Sequence, residues 1–306
     1  MKKFLFCLLG LIFLKCSFVE SGVKQPEHYY CTVADEYHYQ IVLNLIGSIH
    51  SVDFENLQEI AVFDLGFTNK QRKTLGSMQK VKVCEVEKTH PDILKYFKTA
   101  ADGRQVRGWF AWKPVIIKQA ADMYPYFLYL DAGTTVLRPL NDLFDYIQQN
   151  GSFLMSIAPH TIEERITKPV LDKIVLQQSK KDRERIMSKK SFMIDAGLQG
   201  FSSSVYQSYI LPVYNLTYDL SFFADDGSAK LGFGAGRHDQ TLFSVYAYSA
   251  KLKMLPQGWM NLTIDGYEIP FHIHWDQDAV EKDTSIYRSR KNVGFREKWA
   301  EHIRYN

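Results

Sequence analysis

The chain has 306 residues, of which 46% are hydrophobic and 23% are charged. This composition is that of an ordinary globular protein with a substantial core. The 37 basic and 34 acidic residues leave a formal net charge of +3. Because so small an excess does not require a basic face, nucleic acid is not expected as a partner.

The first residues predict an export signal. Lys2 and Lys3 precede an apolar run over residues 4–14, and Lys15 and a polar segment follow it. A charged start, an apolar stretch too short to span a membrane comfortably and a polar exit are typical of a secretory signal peptide.

We therefore expect a signal peptide over residues 1–22, with an uncleaved N-terminal anchor as the alternative, and a folded domain over residues 28–306. Either leader would export the chain to a secretory lumen, the periplasm or the cell exterior. If the leader is an uncleaved anchor, it would be the part of the chain that contacts a membrane. Removal of the leader leaves Cys31 and Cys84. They could form one disulfide in an oxidising compartment, although two buried thiols on strands are the simpler interpretation.

Strands and helices alternate in the first part of the chain. The pattern predicts strands at residues 29–34, 57–63 and 80–86, and helices at 39–50 and 69–78. Such alternation predicts an α/β fold, a single Rossmann-type domain with a mostly parallel central sheet and helices on both faces. No Gly-X-Gly-X-X-Gly sequence follows the first strand, so a dinucleotide-binding fold is not expected.

Further along the chain the prediction is less regular. Residues 91–98 are predicted as a short helix. Pro114 suits the first turn of the next helix, where its missing N–H is not needed. Residues 127–130 then form an apolar run that reads as a buried parallel strand, and the strand ends at Asp131 and Gly133. Asp131 would lie at the edge of the sheet where α/β proteins bind ligands, although an aspartate that caps a turn gives the same pattern.

Other acidic residues repeat this placement. Asp35 and Asp195 also follow predicted strands, and Asp239 begins a predicted helix. If the strands are parallel, these carboxylates meet at one edge, where they suit a divalent cation with a phosphorylated substrate or acid–base chemistry. His272 and His274 alternate on a late strand, so they share one face and could ligate a metal or form a buried pair.

Four short motifs now indicate a family. In chain order they are Trp112-Lys113-Pro114, Leu130-Asp131-Ala132-Gly133, Ala196-Gly197-Leu198-Gln199-Gly200-Phe201 and His238-Asp239-Gln240. In this order and spacing the chain resembles the GT-A-type glycosyltransferases of the nucleotide-diphospho-sugar transferase superfamily. The resemblance spans nearly the whole predicted domain and implies a GT-A-like fold.

The resemblance also implies roles for single residues. Asp35 and Tyr37 match the loop that holds the nucleoside. Asp131 matches the first aspartate of the Asp-X-Asp motif, which binds a divalent metal and the diphosphate of the sugar nucleotide. Asp239 and Gln240 match the pair that faces the donor sugar. His274 matches the late histidine of the metal site, with His272 as the other choice.

The chain departs from the family at Gly133, which replaces the second aspartate of Asp-X-Asp. Loss of a charged oxygen ligand should weaken binding of Mn²⁺ or Mg²⁺. Asp131, a histidine and the diphosphate could still hold a metal. Alternatively Lys113, Arg107 or a helix N-terminus meets the diphosphate charge without one. Asp195 stands where asparagine is expected, and it could supply the missing carboxylate or act as a base.

The resemblance implies transfer of a sugar from a nucleotide-diphosphate donor, a UDP-sugar first, to an acceptor hydroxyl on an exported glycan, lipid or protein. A carboxylate such as Asp195 or Asp239 would act as base if the reaction inverts the anomeric centre. Gln240 and the leaving phosphate would line the reacting face if it retains configuration. The alternatives are a pseudoenzyme that binds a sugar nucleotide or glycan without turnover and a secreted hydrolase, for which the sequence offers no nucleophile.

Overall fold

A computed structural model describes residues 27–98, 105–275, 283–288 and 298–306. The predicted signal peptide over residues 1–22 lies outside these ranges. Among the helices in the described ranges, none has the length and apolar character needed to cross a membrane.

The described residues contain strands, α-helices and shorter helical turns. The strands are β1 His28–Ala34, β2 Leu57–Asp64, β3 Val81–Glu85, β4 Tyr96–Lys98, β5 Gln105–Arg107, β6 Tyr126–Leu130, β7 Thr134–Val136, β8 Ser152–Phe153, β9 Met155–Thr161, β10 Phe192–Ile194, β11 Leu198–Ser202, β12 Leu255–Pro256, β13 Trp259–Ile264, β14 Tyr267–Trp275 and β15 Ile286–Arg288.

The α-helices are α1 Tyr39–Val52, α2 Asn69–Gly76, α3 Trp112–Met123, α4 Asn141–Asn150, α5 Ile162–Arg165, α6 Lys168–Val170, α7 Lys180–Ile186, α8 Leu211–Asn215 and α9 His238–Ser249. Short 3-10 turns lie at Glu36–His38, Gly108–Phe110, Ser203–Val205, Leu216–Tyr218, Leu220–Phe222 and Lys298–His302, and π-helical turns lie at Leu171–Val175 and Tyr206–Ile210.

Local sequence signals explain where several helices begin and end. Thr68 and Gln71 form a capping box at the start of α2, so the side chain of each bonds the backbone of the other. Pro114 lies in the first turn of α3, as predicted. Helix α4 is followed by Gly151, which has a φ of 82°. Glycine adopts this left-handed conformation at little energetic cost. Glycine at this position lets the chain turn directly into β8.

The central sheet has six strands in the order β3-β2-β1-β6-β11-β8. Strands β3, β2, β1 and β6 are parallel to one another, and β11 runs antiparallel to β6. Strands β2 and β3 follow β1 in the chain and lie on one side of it, whereas the later strand β6 lies on its other side. The carboxyl ends of β1 and β6 therefore flank the switch point of a Rossmann-type sheet, where ligands of such sheets bind.

Both faces of this sheet are buried, which confirms the predicted α/β class. On β6, Phe127 and Tyr129 pack into one core together with residues of α3, α8 and α9. Leu128 and Leu130 alternate with them and pack into a second core with α1 and α4. Since successive strand residues point to opposite faces, the continuous apolar run of β6 follows directly from helices on both sides.

Smaller sheets complete the fold. They have the strand orders β10-β9-β12, β13-β14-β15-β7 and β4-β5. Strand β7 begins just after Asp131, and β15 pairs with it through Arg288 opposite Thr134. The late part of the chain is thereby brought to the carboxyl end of β6.

Two sequence-based expectations need correction. Asp195 does not follow a strand parallel to β6, because it lies between β10, which pairs with β9, and β11, which is antiparallel to β6. It reaches the same edge because an antiparallel neighbour begins where β6 ends. Residues 91–98, predicted as a helix, contain the strand β4.

The two cysteines of the predicted mature chain are free thiols in the structure. Cys31 is buried in the core of the central sheet, and Cys84 on β3 is partly buried. Both therefore lie on strands as free thiols, as the simpler interpretation predicts, but Cys84 is only partly buried where that interpretation predicts a buried thiol. Burial raises the pKa of both thiols above its ordinary value.

Candidate functional site

The site lies at the switch point between β1 and β6. Asp35 directly follows β1, and Asp131 directly follows β6. The backbone N–H of Asp131 donates to the carbonyl of Gly197 at 2.8 Å, which ties the end of β6 to the turn that contains Asp195. Three predicted site carboxylates are thus placed by neighbouring strand ends.

Charged side chains of alternating sign run across this edge. Lys113 Nζ donates to Asp131 Oδ1 at 3.1 Å and lies 3.5 Å from Asp239 Oδ2. Arg288 Nη2 lies 3.4 Å from Asp131 Oδ2, and Arg288 Nη1 donates to Asp195 Oδ2. The series Asp239, Lys113, Asp131, Arg288 and Asp195 therefore forms one connected network of three carboxylates and two cations.

The two elements that carry Lys113 and Asp239 explain their meeting. Lys113 lies in the first turn of α3 and Asp239 in the first turn of α9, and both helices pack on the same face of the central sheet. Lys113 is only 5% exposed, so its ammonium is held by the carboxylates and by the carbonyl of Ala196 rather than by water. A buried ammonium needs such partners.

The charges shift one another's pKa values. Burial opposes ionisation of Asp131, but the cations Lys113 and Arg288 outweigh it and lower the pKa of the carboxyl below its ordinary value. Burial also opposes the charge on Lys113, yet Asp131 and Asp239 raise the pKa of its ammonium. Both shifts favour the charged forms, so this pair is ionised at neutral pH.

Asp239 behaves differently from Asp131. Burial raises the pKa of its carboxyl to about 6, an effect that Lys113 opposes and Asp131 adds to. Its Oδ2 atom is buried, accepts no hydrogen bond within the described residues and lies 3.5 Å from the Lys113 ammonium. A carboxyl group with a pKa near neutrality has one property of a general base.

Asp195 is engaged more completely. Its Oδ2 accepts from Arg288, and its Oδ1 accepts from the backbone N–H of Gly197 at 2.9 Å. Gln240 supports the same turn, because its side-chain amide donates to the carbonyl of Ile194 at 2.6 Å. Through this contact Gln240 supports the residue that precedes Asp195. The contact of Gln240 with a donor sugar stays a prediction.

A second cluster surrounds Asp35. Its Oδ1 accepts from the backbone N–H groups of Tyr37 and His38, each at 3.1 Å, and lies 2.6 Å from the His38 ring. Burial opposes its ionisation, but these bonds to His38 and the charge of Arg107 lower the pKa of Asp35 to about 2. Arg107 Nη2 donates to Tyr96 Oη at 2.6 Å, and the Tyr96 ring lies under the guanidinium.

The Asp35 cluster leaves an aromatic ring at the surface. Tyr37 is 75% exposed, although its backbone is fixed by Asp35. An exposed ring on a fixed backbone is suited to stack on a flat base. Asp35 itself is buried and already contacts Tyr96 and Arg107 through Oδ2, so the nucleoside role of Asp35 and Tyr37 stays a prediction.

The described residues do not fit a divalent cation at Asp131. No group of three potential metal ligands is present in the described ranges. Gly133 contributes no side chain, and both oxygens of Asp131 face cations. His274, predicted as a metal ligand, pairs with Tyr287, the neighbour of Arg288, and therefore points to the sheet face opposite to Arg288. His272 shares that face with His274, as predicted.

Left-handed backbone lies beside the network. Gly108, Trp109 and Phe110 have φ values of 55°, 53° and 63°. A Cβ at Gly108 would collide with the carbonyl of Ile93, so glycine is required there. The rings of Trp109 and Phe110 pack on His238, which precedes Asp239. Backbone strain of this kind is found preferentially at functional sites.

Sequence reasoning missed Arg288 and Tyr96. Both lie on strands of three residues: β15 pairs with β7, which is far away in the chain, whereas β4 pairs with β5, the next strand. The sequence pattern predicts a helix at Tyr96, and Arg288 belongs to no motif. The one available signal was a cation directly after the apolar pair Ile286 and Tyr287.

Comparisons with known proteins agree with this architecture. No protein-family model and no curated protein matches the sequence. Among solved structures, the galactosyltransferase LgtC in complex with donor and acceptor sugar analogs is 11% identical, with a TM-score of 0.50 over 90% of this chain and 96% of that one. The bifunctional glycosyltransferase WbbM is 14% identical, with a TM-score of 0.50 over 92% of this chain and 50% of that one. At these identities the likeness concerns the fold, and the chain has the fold of GT-A-type glycosyltransferases.

Proposed function

We propose that the protein transfers a sugar from a nucleotide-diphosphate donor, a UDP-sugar, to an acceptor hydroxyl. The observation that carries this proposal is the charged network of Asp239, Lys113, Asp131, Arg288 and Asp195, located at the switch point of a GT-A fold. The adjoining cluster of Asp35, Tyr37 and Arg107 supports it, since the two clusters offer one place for a nucleoside and one for its phosphates.

The nucleoside, the diphosphate and the acceptor hydroxyl are each assigned to different residues of the site. Asp35 and Tyr37 bind the nucleoside, while Lys113 and Arg288 stabilise the negative charge that develops on the departing diphosphate. Asp239 is the better of the two predicted bases, because its pKa is raised to about 6 and its Oδ2 accepts no hydrogen bond within the described residues, whereas both oxygens of Asp195 accept hydrogen bonds from Arg288 and Gly197.

The acceptor and the place of action follow from the predicted leader. With a signal peptide or anchor over residues 1–22, the domain acts in a secretory lumen, the periplasm or the cell exterior. The acceptor is then an exported glycan, lipid or protein. The base Asp239 would deprotonate its hydroxyl as the sugar–phosphate bond breaks, and the proton would pass to the carboxylate.

Calorimetric titration with UDP and GDP tests the donor site. We expect UDP to bind with a dissociation constant in the range of about 1 μM to 1 mM that is usual for substrates. Arg107→Met should weaken UDP binding about tenfold, because Tyr96 and Asp35 lose the guanidinium that joins them. The matched control is Arg138→Met, since Arg138 forms an exposed pair with Asp283. Failure of both nucleotides to bind the wild type would refute the proposal.

A further inference from the structure

Two cations flank the open side of Asp131. Its side chain is 38% exposed, whereas those of Lys113 and Arg288 are 6% and 11% exposed. Lys113 and Tyr129 donate to Oδ1, and Arg288 faces Oδ2. A ligand that approaches Asp131 from solvent therefore meets two fixed positive charges beside a partly exposed carboxylate.

The position of Arg288 is built into the fold. Strand β15 lies between β14 and β7, so the backbone of Arg288 is paired on both sides, with Trp275 and Thr134. A Cβ at Gly197 would collide with the guanidinium of Arg288 and the carboxylate of Asp131. Glycine at this position therefore lets the two side chains meet. A guanidinium presents its donors in a planar fork, a geometry that matches phosphate oxygens as well as carboxylates.

The same place is poorly suited to a divalent cation. Gly133 removes the second carboxylate, and among the described residues no atom lies within 4 Å of the position that its Cβ would take. A metal ion on Asp131 would have to displace Lys113 and Arg288, which already contact both oxygens of the carboxylate. Hard cations need several oxygen ligands, and the described residues do not gather them here.

We infer that Lys113 and Arg288 take the place of a divalent cation and bind the donor diphosphate without a metal, while Asp131 positions both cations. This inference rests on the proposed function. An ammonium and a guanidinium fork are strong partners for phosphate oxygens. An entering diphosphate would compete with the Asp131 carboxylate for both groups, so the carboxylate holds them apart until the donor arrives.

The first test is calorimetric titration of the protein with UDP in EDTA and in Mn²⁺. The dissociation constant should agree within about twofold between the two conditions. A tightening of about tenfold or more in Mn²⁺ would overturn the inference and leave the proposed function standing. Absence of UDP binding in both conditions would overturn both.

The second test distinguishes a role of Arg288 in binding phosphate from a role in the stability of the fold. Arg288→Ala should weaken UDP binding by about tenfold to hundredfold, the size expected for lost charge-assisted hydrogen bonds. Binding of uridine, which has no phosphate and is measured by ligand-observed NMR, should be unchanged. Arg138→Ala, the exposed control, should change neither. Equal losses for UDP and uridine, or an unchanged affinity for UDP, would overturn the inference.

Arg288→Ala also removes a partner of two carboxylates and could lower the stability of the fold. Arg288→Lys is therefore measured beside it, because lysine keeps the charge but loses the fork. We expect an affinity for UDP that lies between those of the wild type and Arg288→Ala, with uridine binding again unchanged. A uridine loss as large as the UDP loss in Arg288→Lys would assign Arg288 to the fold alone and overturn the inference.

Discussion

Replacement of Lys113 by methionine tests the charged network through stability. Methionine keeps the apolar stem of Lys113 in its buried position and removes the ammonium. Asp131 retains Arg288, but within the described ranges Lys113 is the cation paired with Asp239. The variant Lys113→Met therefore leaves one carboxylate, 5% exposed, without a counter-charge. Such a loss costs about 3–5 kcal/mol of the free energy of unfolding.

The cost should depend on pH because of Asp239. Its pKa is raised to about 6 in the folded protein, so the penalty for its ionised form is present at higher pH and is lost as the pH falls through that value. Removal of Lys113 raises the pKa further. At about pH 8 the full cost should appear, and at about pH 5 a proton replaces the lost counter-charge, which leaves about 1–3 kcal/mol for the broken hydrogen bonds.

The assay is urea unfolding of the wild type and Lys113→Met at both pH values. Lys118→Met is the matched control, because Lys118 lies on the same helix and pairs with Asp122 at the surface, 2.7 Å away. A surface pair of this spacing contributes about 0.3–0.5 kcal/mol. Equal costs for the two variants at about pH 8, or a cost for Lys113→Met that does not fall at about pH 5, would refute the reasoning.

Three further predictions concern other parts of the molecule. Asp239→Asn should lower kcat by about 10²–10⁴ with UDP affinity unchanged, and wild-type kcat/KM should rise as the pH passes through about 6, where Asp239 ionises, and level off above it; a pH-independent rate would contradict its role as base. Gly133→Asp restores a carboxylate where the described residues leave space, and it should make UDP binding about tenfold tighter in Mn²⁺, whereas Gly76→Asp, which meets no described atom either, should not respond. In a chain that lacks residues 1–22, a thiol reagent should label Cys84 before Cys31, which is fully buried; simultaneous labelling of the folded protein would argue against the described core.

The central sheet could be predicted because its signals are local. The apolar run before Asp131 marks a strand covered on both faces, and the helix that follows β1 has its own periodicity. Asp35 and Asp131 follow from the same pattern, since each is the first polar residue after a parallel strand. Local information was sufficient to bring these two carboxylates to one edge.

Other parts of the site depend on distant pairing and could not be predicted in this way. Strand β15 has three residues and pairs Ile286 with Val136, so no local pattern places Arg288 beside Asp131. Alternation correctly puts His272 and His274 on one face, but it does not say which face meets Asp131. The register with β15 decides that question, and it turns both histidines to the face opposite to Arg288.

The most direct test of the account is to incubate the chain, without residues 1–22, with a panel of nucleotide sugars and to measure release of the nucleoside diphosphate. We predict that a UDP-sugar releases UDP, that a hydroxyl-bearing acceptor increases the rate, and that Asp239→Asn abolishes this increase. Tight binding of UDP with no release from any donor in the panel would contradict sugar transfer and would indicate a protein that binds sugar nucleotides without turnover.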